Sequence, residues 1–429
     1  MEATTTTPRE QSDTDRDDFS ASPTRGTIAY IAHYFPALSQ TFVYREIRAL
    51  EALGWDIRYF SIRRPDDRAS EDAGDMAERT FYLLPYRKSL LIARLARLFL
   101  RRPWRFLRTL ALVTLARGES WKARLHGLTH FAGGMYLVPE LQRAGVRHFH
   151  AHFGKNPATL ALVAAEYLGI PFSMTIHATD LFVSGLLLAR KLEHCKFVAS
   201  ISEYNRELLL ELSADPDIAR KIHVLHCGID LERFPERAET PCNETPLIVS
   251  VGRLVEKKGF PYLLEAARIL KTRGVAFEVR IIGGGPDREE LERKRRELGV
   301  EDRVRLEGAM AQERLLPVLA RADVFVLPCV RAHDGDQDGI PVSLMEAMAY
   351  GIPCVSTTVS GVPELIEHGT EGLLAPERDA AALADALERL VLDRDLRLSA
   401  GKAARRKVEG EFSLRALAEG LDRLYRAEA

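Results

Sequence analysis

Residues 235–246 read Pro235-Glu-Arg-Ala-Glu-Thr-Pro-Cys-Asn-Glu-Thr-Pro246, with three prolines and little apolar content. Proline fixes its own φ and gives up a backbone donor, so this stretch suits neither strand nor helix and reads as a linker. Upstream of it the sequence predicts strands at Ile28 to Ala32, Asp56 to Ile62, Arg147 to His152, Phe172 to Ile176, Phe197 to Ile201 and Lys221 to His226, with a helix over Gln40 to Leu53. Downstream the alternation restarts. Strands are predicted at Leu247 to Val251, Phe277 to Ile282, Val304 to Leu306, Val324 to Leu327 and Cys354 to Ser356. Between them lie helices near Phe260 to Thr272, Asp287 to Leu298, Gln312 to Arg321, Ser343 to Tyr350 and Pro363 to His368. Short apolar runs alternating with helical patterns are the rhythm of parallel βαβ units. The expected fold is therefore α/β: two Rossmann-like, doubly wound domains, 26–234 and 247–410, facing across a cleft. A last amphipathic helix within 411–429 is placed to cross back and brace the first domain.

The 429 residues suit two cores better than one. Residues 1–25 are rich in Thr, Asp, Arg and Ser without an apolar run, which reads as a disordered tail rather than a signal peptide. Lys plus Arg (60) balances Asp plus Glu (61), so no global field points to nucleic acid. Five cysteines, Cys195, Cys227, Cys242, Cys329 and Cys354, are scattered without a CxxC pair. That usage suits a reducing compartment and predicts a cytoplasmic location.

In open α/β sheets ligands sit beyond the carboxyl ends of the strands, so chemistry is sought on those loops. Gly252-Arg253-Leu-Val-Glu-Lys-Lys258-Gly259 follows the first strand of the second domain and precedes a helix. Arg253 and Lys258 there can hold a diphosphate and neutralise the charge that grows as it leaves; the alternative is a solvated turn. The next strand ends in Ile282-Gly283-Gly284-Gly285-Pro286, whose glycines allow close backbone approach. A dinucleotide fingerprint would need glycine where Arg288 stands, although Glu307 ends the following strand where a ribose-binding acid is expected.

The richest stretch is Asp334-Gly-Asp-Gln-Asp338-Gly339-Ile340-Pro341-Val-Ser-Leu-Met-Glu346. Glu346 is expected in the first turn of a helix, where a carboxylate can accept both hydroxyls of a ribose while amides from Gly339 to Val342 face phosphate or sugar oxygens. Loops around Gly283, Glu307 and Val330 would shape the donor pocket. Asp334-x-Asp336-x-Asp338-Gly339 copies the opening of an EF-hand loop, but its twelfth position is Met345 rather than a bidentate acid. A divalent ion on an Asp-x-Asp pair would have to share the site with Arg253 and Lys258. His148-x-His150-x-His152 spaces three imidazoles along one strand face with no acid near in sequence, so the expectation is no metal.

The ordered set Gly252-Arg-Leu-x3-Lys258-Gly259, Ile281-Ile-Gly-Gly-Gly-Pro286, Asp338-Gly-Ile-Pro-x4-Glu346-Ala-Met-Ala349 and Gly361-Val-Pro-Glu-Leu365 resembles the donor domain of the GT4 family of glycosyltransferases. Upstream, Phe35 to Val43, Ala151 to Gly154, Ser173 to Asp180, Ile201 to Arg206 and His226 to Asp230 are similar to its bacterial exopolysaccharide branch, of the colanic-acid type. The resemblance runs from about Thr27 to the C-terminus. It implies the GT-B fold and a retaining hexosyltransferase that needs no metal or other cofactor and takes a nucleotide sugar, expected to be a UDP-sugar. It implies diphosphate binding by Arg253 and Lys258, ribose binding by Glu346, and His177 set against the donor sugar. Asp338 stands where most of the family has glutamate, one methylene longer. Donor contacts are expected from Gly283, Gly284, Gly285, Glu307, Val330, Asp338, Gly339 and Ile340. Candidates on the acceptor side are Ser39, Gln40, Thr41 and His152. The acceptor would be lipid-linked or an oligosaccharide.

Residues 87–124 carry eleven Lys or Arg against one acid, Glu119, interleaved with leucines and aromatics. They read as amphipathic helices that either cover the first domain or lie on an anionic membrane at the inner face. A nucleotide-sugar epimerase of similar architecture and a non-catalytic sugar-nucleotide-binding protein are the competing readings.

Overall fold

The computed structural model describes residues 25–37, 41–65, 74–115, 121–177, 187–212, 216–237 and 243–427. Among them the strands form two sheets. The first contains β1 (Thr27–Tyr34), β2 (Asp56–Arg63), β3 (Phe81–Tyr82), β4 (His148–His152), β5 (Phe172–Ile176), β6 (Val198–Ser200) and β7 (Ile222–Val224). Their order is β3-β2-β1-β4-β5-β6-β7, and the pairs run parallel. The second contains β8 (Leu247–Val251), β9 (Glu278–Ile282), β10 (Val304–Gly308), β11 (Val324–Val326), β12 (Cys354–Thr357) and β13 (Gly372–Ala375). It is ordered β10-β9-β8-β11-β12-β13, again parallel. Each order reverses at its first strand, β1 or β8, and the carboxyl ends on either side of such a reversal open a crevice.

Helices of the first half are α1 (Thr41–Ala52), α2 (Gly74–Arg79), α3 (Lys88–Arg101), α4 (Pro103–Thr114), α5 (Trp121–Arg143), α6 (Asn156–Leu168), α7 (Leu188–His194), α8 (Glu203–Glu211) and α9 (Pro216–Lys221). Those of the second are α10 (Phe260–Thr272), α11 (Arg288–Glu297), α12 (Gln312–Ala320), α13 (Val342–Ala349), α14 (Val362–Leu365), α15 (Ala380–Leu392), α16 (Arg394–Glu411) and α17 (Leu414–Ala427). In α10, Pro261 occupies the first turn, where its missing donor costs nothing, and Phe260, Leu263, Leu264, Ala267 and Leu270 recur at helical spacing and are buried. Two strands escape the sequence reading. β3 has only two residues, and β13, Gly372-Leu-Leu-Ala375, lacks the β-branched residues that mark a strand. Lys221 ends α9 instead of opening a strand, and the helix expected over Pro363 to His368 is the four-residue α14.

The chain passes between the halves twice, side by side. Ile229 N donates to Phe412 O at 2.9 Å and Leu414 N to Ile229 O at 2.8 Å. A Cβ on Gly228 would meet Leu414 Cα at 2.5 Å, so glycine is required for this approach. Helix α17 then packs on the first half, where Leu417, Leu421 and Tyr425 join Ile28, Tyr30 and Trp55 in one core. Asp422 receives Arg25 Nη1 at 2.6 Å and Trp55 Nε1 at 2.9 Å. At about 2 kcal/mol per buried large apolar side chain, this helix holds the two halves together more firmly than its surface ion pairs do.

Candidate functional site

The loops after β8, β9 and β11 meet at the reversal of the second sheet. After β8 the chain makes a single 3-10 turn, Glu256–Lys258, and Gly259 turns it into α10 with φ +67°. A Cβ at Gly259 would sit 1.8 Å from Pro328 O, so the β8 and β11 loops touch through backbone. Val330 N also donates to Lys257 O at 2.9 Å. The β9 loop closes on the β8 loop in the same way: Gly252 N reaches Ile282 O at 3.0 Å and Leu254 N reaches Gly284 O at 2.9 Å. A Cβ on Gly283 would lie 1.8 Å from Gly252 O. The glycines seen in sequence are thus spent on loop-to-loop packing that fixes Lys258 in place.

Lys258 Nζ is 2.7 Å from Asp338 Oδ2, and Lys257 Nζ is 3.5 Å from Asp338 Oδ1 and 3.0 Å from Asp336 Oδ2. Burial works to lower the pKa of Lys258, but Asp338, with Cys329 and Asp336, outweighs it and holds the ammonium above its ordinary value. The Arg253 side chain is exposed and makes no hydrogen bond or ion pair among the described residues. The two cations expected to form an anion site thus differ: the Arg253 guanidinium is free, and the Lys258 ammonium is already engaged with a carboxylate.

Glu346 departs from expectation in position. Pro341 keeps an extended ψ of 125° outside the helix, so α13 begins at Val342 and Glu346 opens its second turn rather than lying in its first. Burial raises its carboxyl above the ordinary range, opposed by Arg45 on α1 and by Arg233. Arg45, nine-tenths buried, has no sequence motif to announce it. Glu307 is exposed on the edge strand β10, with Oε1 3.9 Å from Arg280 Nε, so its carboxylate faces a neighbouring strand's cation. Val330 is buried and packs toward Gly259, and Ile340 packs on Gly361, so neither presents a free side chain to the cleft. Gly284, Gly285 and Gly339 are half-buried in the same loops.

From the first sheet comes His177, immediately after β5. Its ring centroid lies 5.1 Å from that of Phe42, 5.0 Å from His152 and 4.6 Å from Phe153. Phe153 takes φ 78°, an uncommon conformation for a bulky residue and of the kind that clusters at functional sites. Burial lowers the His177 pKa to about 4, so the imidazole is neutral at pH 7. Ser39 and Gln40 lie outside the described residues, and Thr41 is the first residue of α1.

His152 is buried rather than lining the cleft, and among the described residues neither ring nitrogen has a hydrogen-bond partner. The expectation that no acid accompanies the three strand histidines is corrected: Glu46, brought in by α1, lies with His150 and His152 so that ligand-type atoms fall within 4.8 Å of one another. Two of the three are already occupied otherwise. His150 uses Nδ1 on Ser173 Oγ at 2.8 Å and Nε2 on Thr175 Oγ1 at 3.0 Å, while Glu46 accepts from Tyr30 at 2.9 Å. Glu46 belongs to a buried hydrogen-bond network that ends on Tyr425 of α17.

Residues 39–233 match the family described as Glycosyltransferase Family 4, and residues 232–407 match that described as Glycosyl transferases group 1. The chain is 35% identical over 426 residues to the amylovoran biosynthesis glycosyltransferase AmsK of Erwinia amylovora, covering 92% of this chain and 99% of that one. It is also 35% identical over 424 residues to WcaL of Escherichia coli K12, a glycosyltransferase assigned to colanic acid biosynthesis, with 93% and 99% covered. Among solved structures, HepE of Anabaena in complex with UDP-glucose aligns with a TM-score of 0.65 at 15% identity over 94% of this chain and 99% of that one. At that identity the likeness shows the fold alone. The two relatives are glycosyltransferases by name, which leaves the epimerase and the non-catalytic readings without support.

Proposed function

The chain belongs to glycosyltransferase family 4, with the GT-B fold, and from that premise we propose that it is a retaining hexosyltransferase of bacterial exopolysaccharide assembly that uses a UDP-sugar and no metal. The observation that carries the reading is the pair Lys258–Asp338, fixed by backbone contacts at the mouth of β8 and β11, with exposed Arg253 on the same loop. Arg253 and Lys258 receive the diphosphate and stabilise its charge as the glycosidic bond breaks, the role a metal plays elsewhere. Glu346 accepts the ribose hydroxyls. His177 and Asp338 contact the transferred sugar, and the cation-rich loops match a reaction whose main demand is leaving-group stabilisation. AmsK and WcaL act in polymer biosynthesis by name, which supports a lipid-linked or oligosaccharide acceptor.

The surface of α3 and α4 supports a peripheral contact with an anionic inner membrane. Leu98 and Val113 bury one side, while Ile92, Leu100 and Trp104 stay exposed among Arg97, Arg101 and Arg102. No helix among the described residues is long and apolar enough to cross a membrane.

The test is a thermal-shift series with UDP-, GDP- and ADP-sugars, each with magnesium and with EDTA. Stabilisation by one UDP-sugar that is unchanged by EDTA supports the proposal, and a metal-dependent or GDP-specific shift overturns that part of it. Transfer of labelled sugar to a lipid extract, with the anomeric configuration read by NMR, tests the reaction and its stereochemistry. Sedimentation with phosphatidylglycerol vesicles at low and high salt tests the membrane contact.

A further inference from the structure

One start of helix in the first domain is gripped by the second domain at several points. Helix α8 opens with Ser202 as its cap, whose Oγ accepts from Asn205 N at 3.1 Å. Its remaining free amides, Glu203 N and Tyr204 N, donate not to their own domain but to the Glu364 carboxylate of α14, at 2.7 Å and 2.9 Å. A carboxylate at a helix N-terminus satisfies orphan donors and meets the positive end of the dipole. Beside it the Tyr204 hydroxyl accepts from Gln337 Nε2 at 3.0 Å and lies 3.5 Å from Arg331 Nη2. Gln337 is almost fully buried and immediately precedes Asp338.

The segment Arg331 to Ile340 is therefore held from two sides. Its own domain holds it through Lys257 and Lys258 on Asp336 and Asp338, and the facing domain holds it through Tyr204. These holds respond differently to a donor. A diphosphate arriving at Lys258 competes with Asp338 for the same ammonium, so the first hold weakens when the site fills. The second depends only on the two domains staying closed.

We propose that Tyr204 is a positioning residue: it ties closure of the domains to the placement of Asp338, taking over the donor loop when Lys258 turns to the diphosphate. The kinetic part of this inference rests on the transferase reading above; the structural part does not. The amide side chain of Gln337 has Tyr204 as its partner across the cleft, so opening the domains removes that partner and with it the loop's second hold.

Tyr204→Phe removes the hydroxyl and keeps the ring. In the full ligand-free chain, amide hydrogen exchange across 331–341 is expected to quicken about tenfold while exchange in the α8 backbone stays within twofold. With UDP-glucose as donor, kcat is expected to fall about tenfold with KM and the Kd for UDP within twofold, a split that general loss of stability does not produce. Gln337→Leu should reproduce both effects, and the double variant should lose no more than either single one. Unchanged exchange at 331–341 in Tyr204→Phe overturns the proposal, as do additive losses in the double variant. If the parent does not turn over UDP-glucose, the donor assignment fails, while the exchange measurement still decides the role of Tyr204.

Discussion

Lys258 Nζ lies 2.7 Å from Asp338 Oδ2, so the cation expected to receive the donor diphosphate is already paired with the acid expected near the donor sugar. Both side chains keep about 15% of their surface exposed, which places the pair between a screened surface contact and a buried one. Binding a diphosphate must therefore rearrange the pair. Asp338→Asn frees Lys258 from competition, and UDP should bind several-fold more tightly, on the order of 1 kcal/mol, while turnover falls. Calorimetric titration with UDP beside a turnover assay checks this; weaker UDP binding in Asp338→Asn would show that the carboxylate helps rather than competes.

Glu346 invites the opposite trade. Its carboxyl is raised by burial against the partial relief given by Arg45 and Arg233, so the folded protein carries a desolvation cost there. Glu346→Gln keeps the shape and removes the charge. The melting temperature is expected to hold or rise, while the Kd for UDP increases about tenfold, the loss of one or two hydrogen bonds to a charged acceptor. Parallel melting curves and titrations measure both; equal UDP affinity would remove Glu346 from the ribose site.

The fold was legible because its strands are short apolar runs set off by Gly and Pro, and the linker is marked by Pro235, Pro241 and Pro246. The loops after β8 and β9 were legible for a related reason: Gly259 and Gly283 are needed where backbone meets backbone, so they leave a mark in sequence. What stayed hidden depends on contacts between distant segments. Arg45 stands near Glu346 across some 300 residues, and Tyr204 meets Gln337 across 133. Glu46 reaches His150 and His152 only because α1 packs over β4. No local spacing encodes such meetings, since each is made by the sheet order rather than by the motif.

Four buried histidines make the first domain sensitive to acid. Burial lowers His148 to about 3 and His177 to about 4, and pushes His150 and His152 well below their ordinary value. An unfolded histidine titrates near 6.5, so below that pH the unfolded chain takes up protons that the folded one refuses, and stability falls. Glu46 acts in the other direction: burial raises it to about 8, so the folded chain keeps a proton that the unfolded one has lost above about pH 4.3. Stability should thus climb from pH 5 to about 7, by at most roughly 4 kcal/mol per pH unit, and then decline gently toward pH 8. Glu46→Gln should abolish the decline and raise stability at pH 8 by at least about 1 kcal/mol. Denaturant melts at pH 5, 6.5 and 8 measure this, and a parent curve flat from pH 5 to 6.5 would contradict the buried neutral histidines.

His177 sits among Phe42, His152 and Phe153, and its lowered pKa leaves it neutral wherever the protein is folded near pH 7. A neutral imidazole can give or accept a hydrogen bond at the sugar but brings no positive charge to the leaving diphosphate, which is left to Arg253 and Lys258. Two expectations separate this role from that of a charged group. His177→Ala should cost about 100-fold in turnover with the Kd for UDP within twofold, and His177→Asn, which keeps hydrogen-bonding capacity, should recover part of it. The turnover of the parent should also show no ionisation near pH 6.5 that disappears in His177→Asn. If Ala and Asn are equally impaired and the parent shows such an ionisation, the imidazole works as a cation and the assignment of charge stabilisation to the β8 loop alone is wrong.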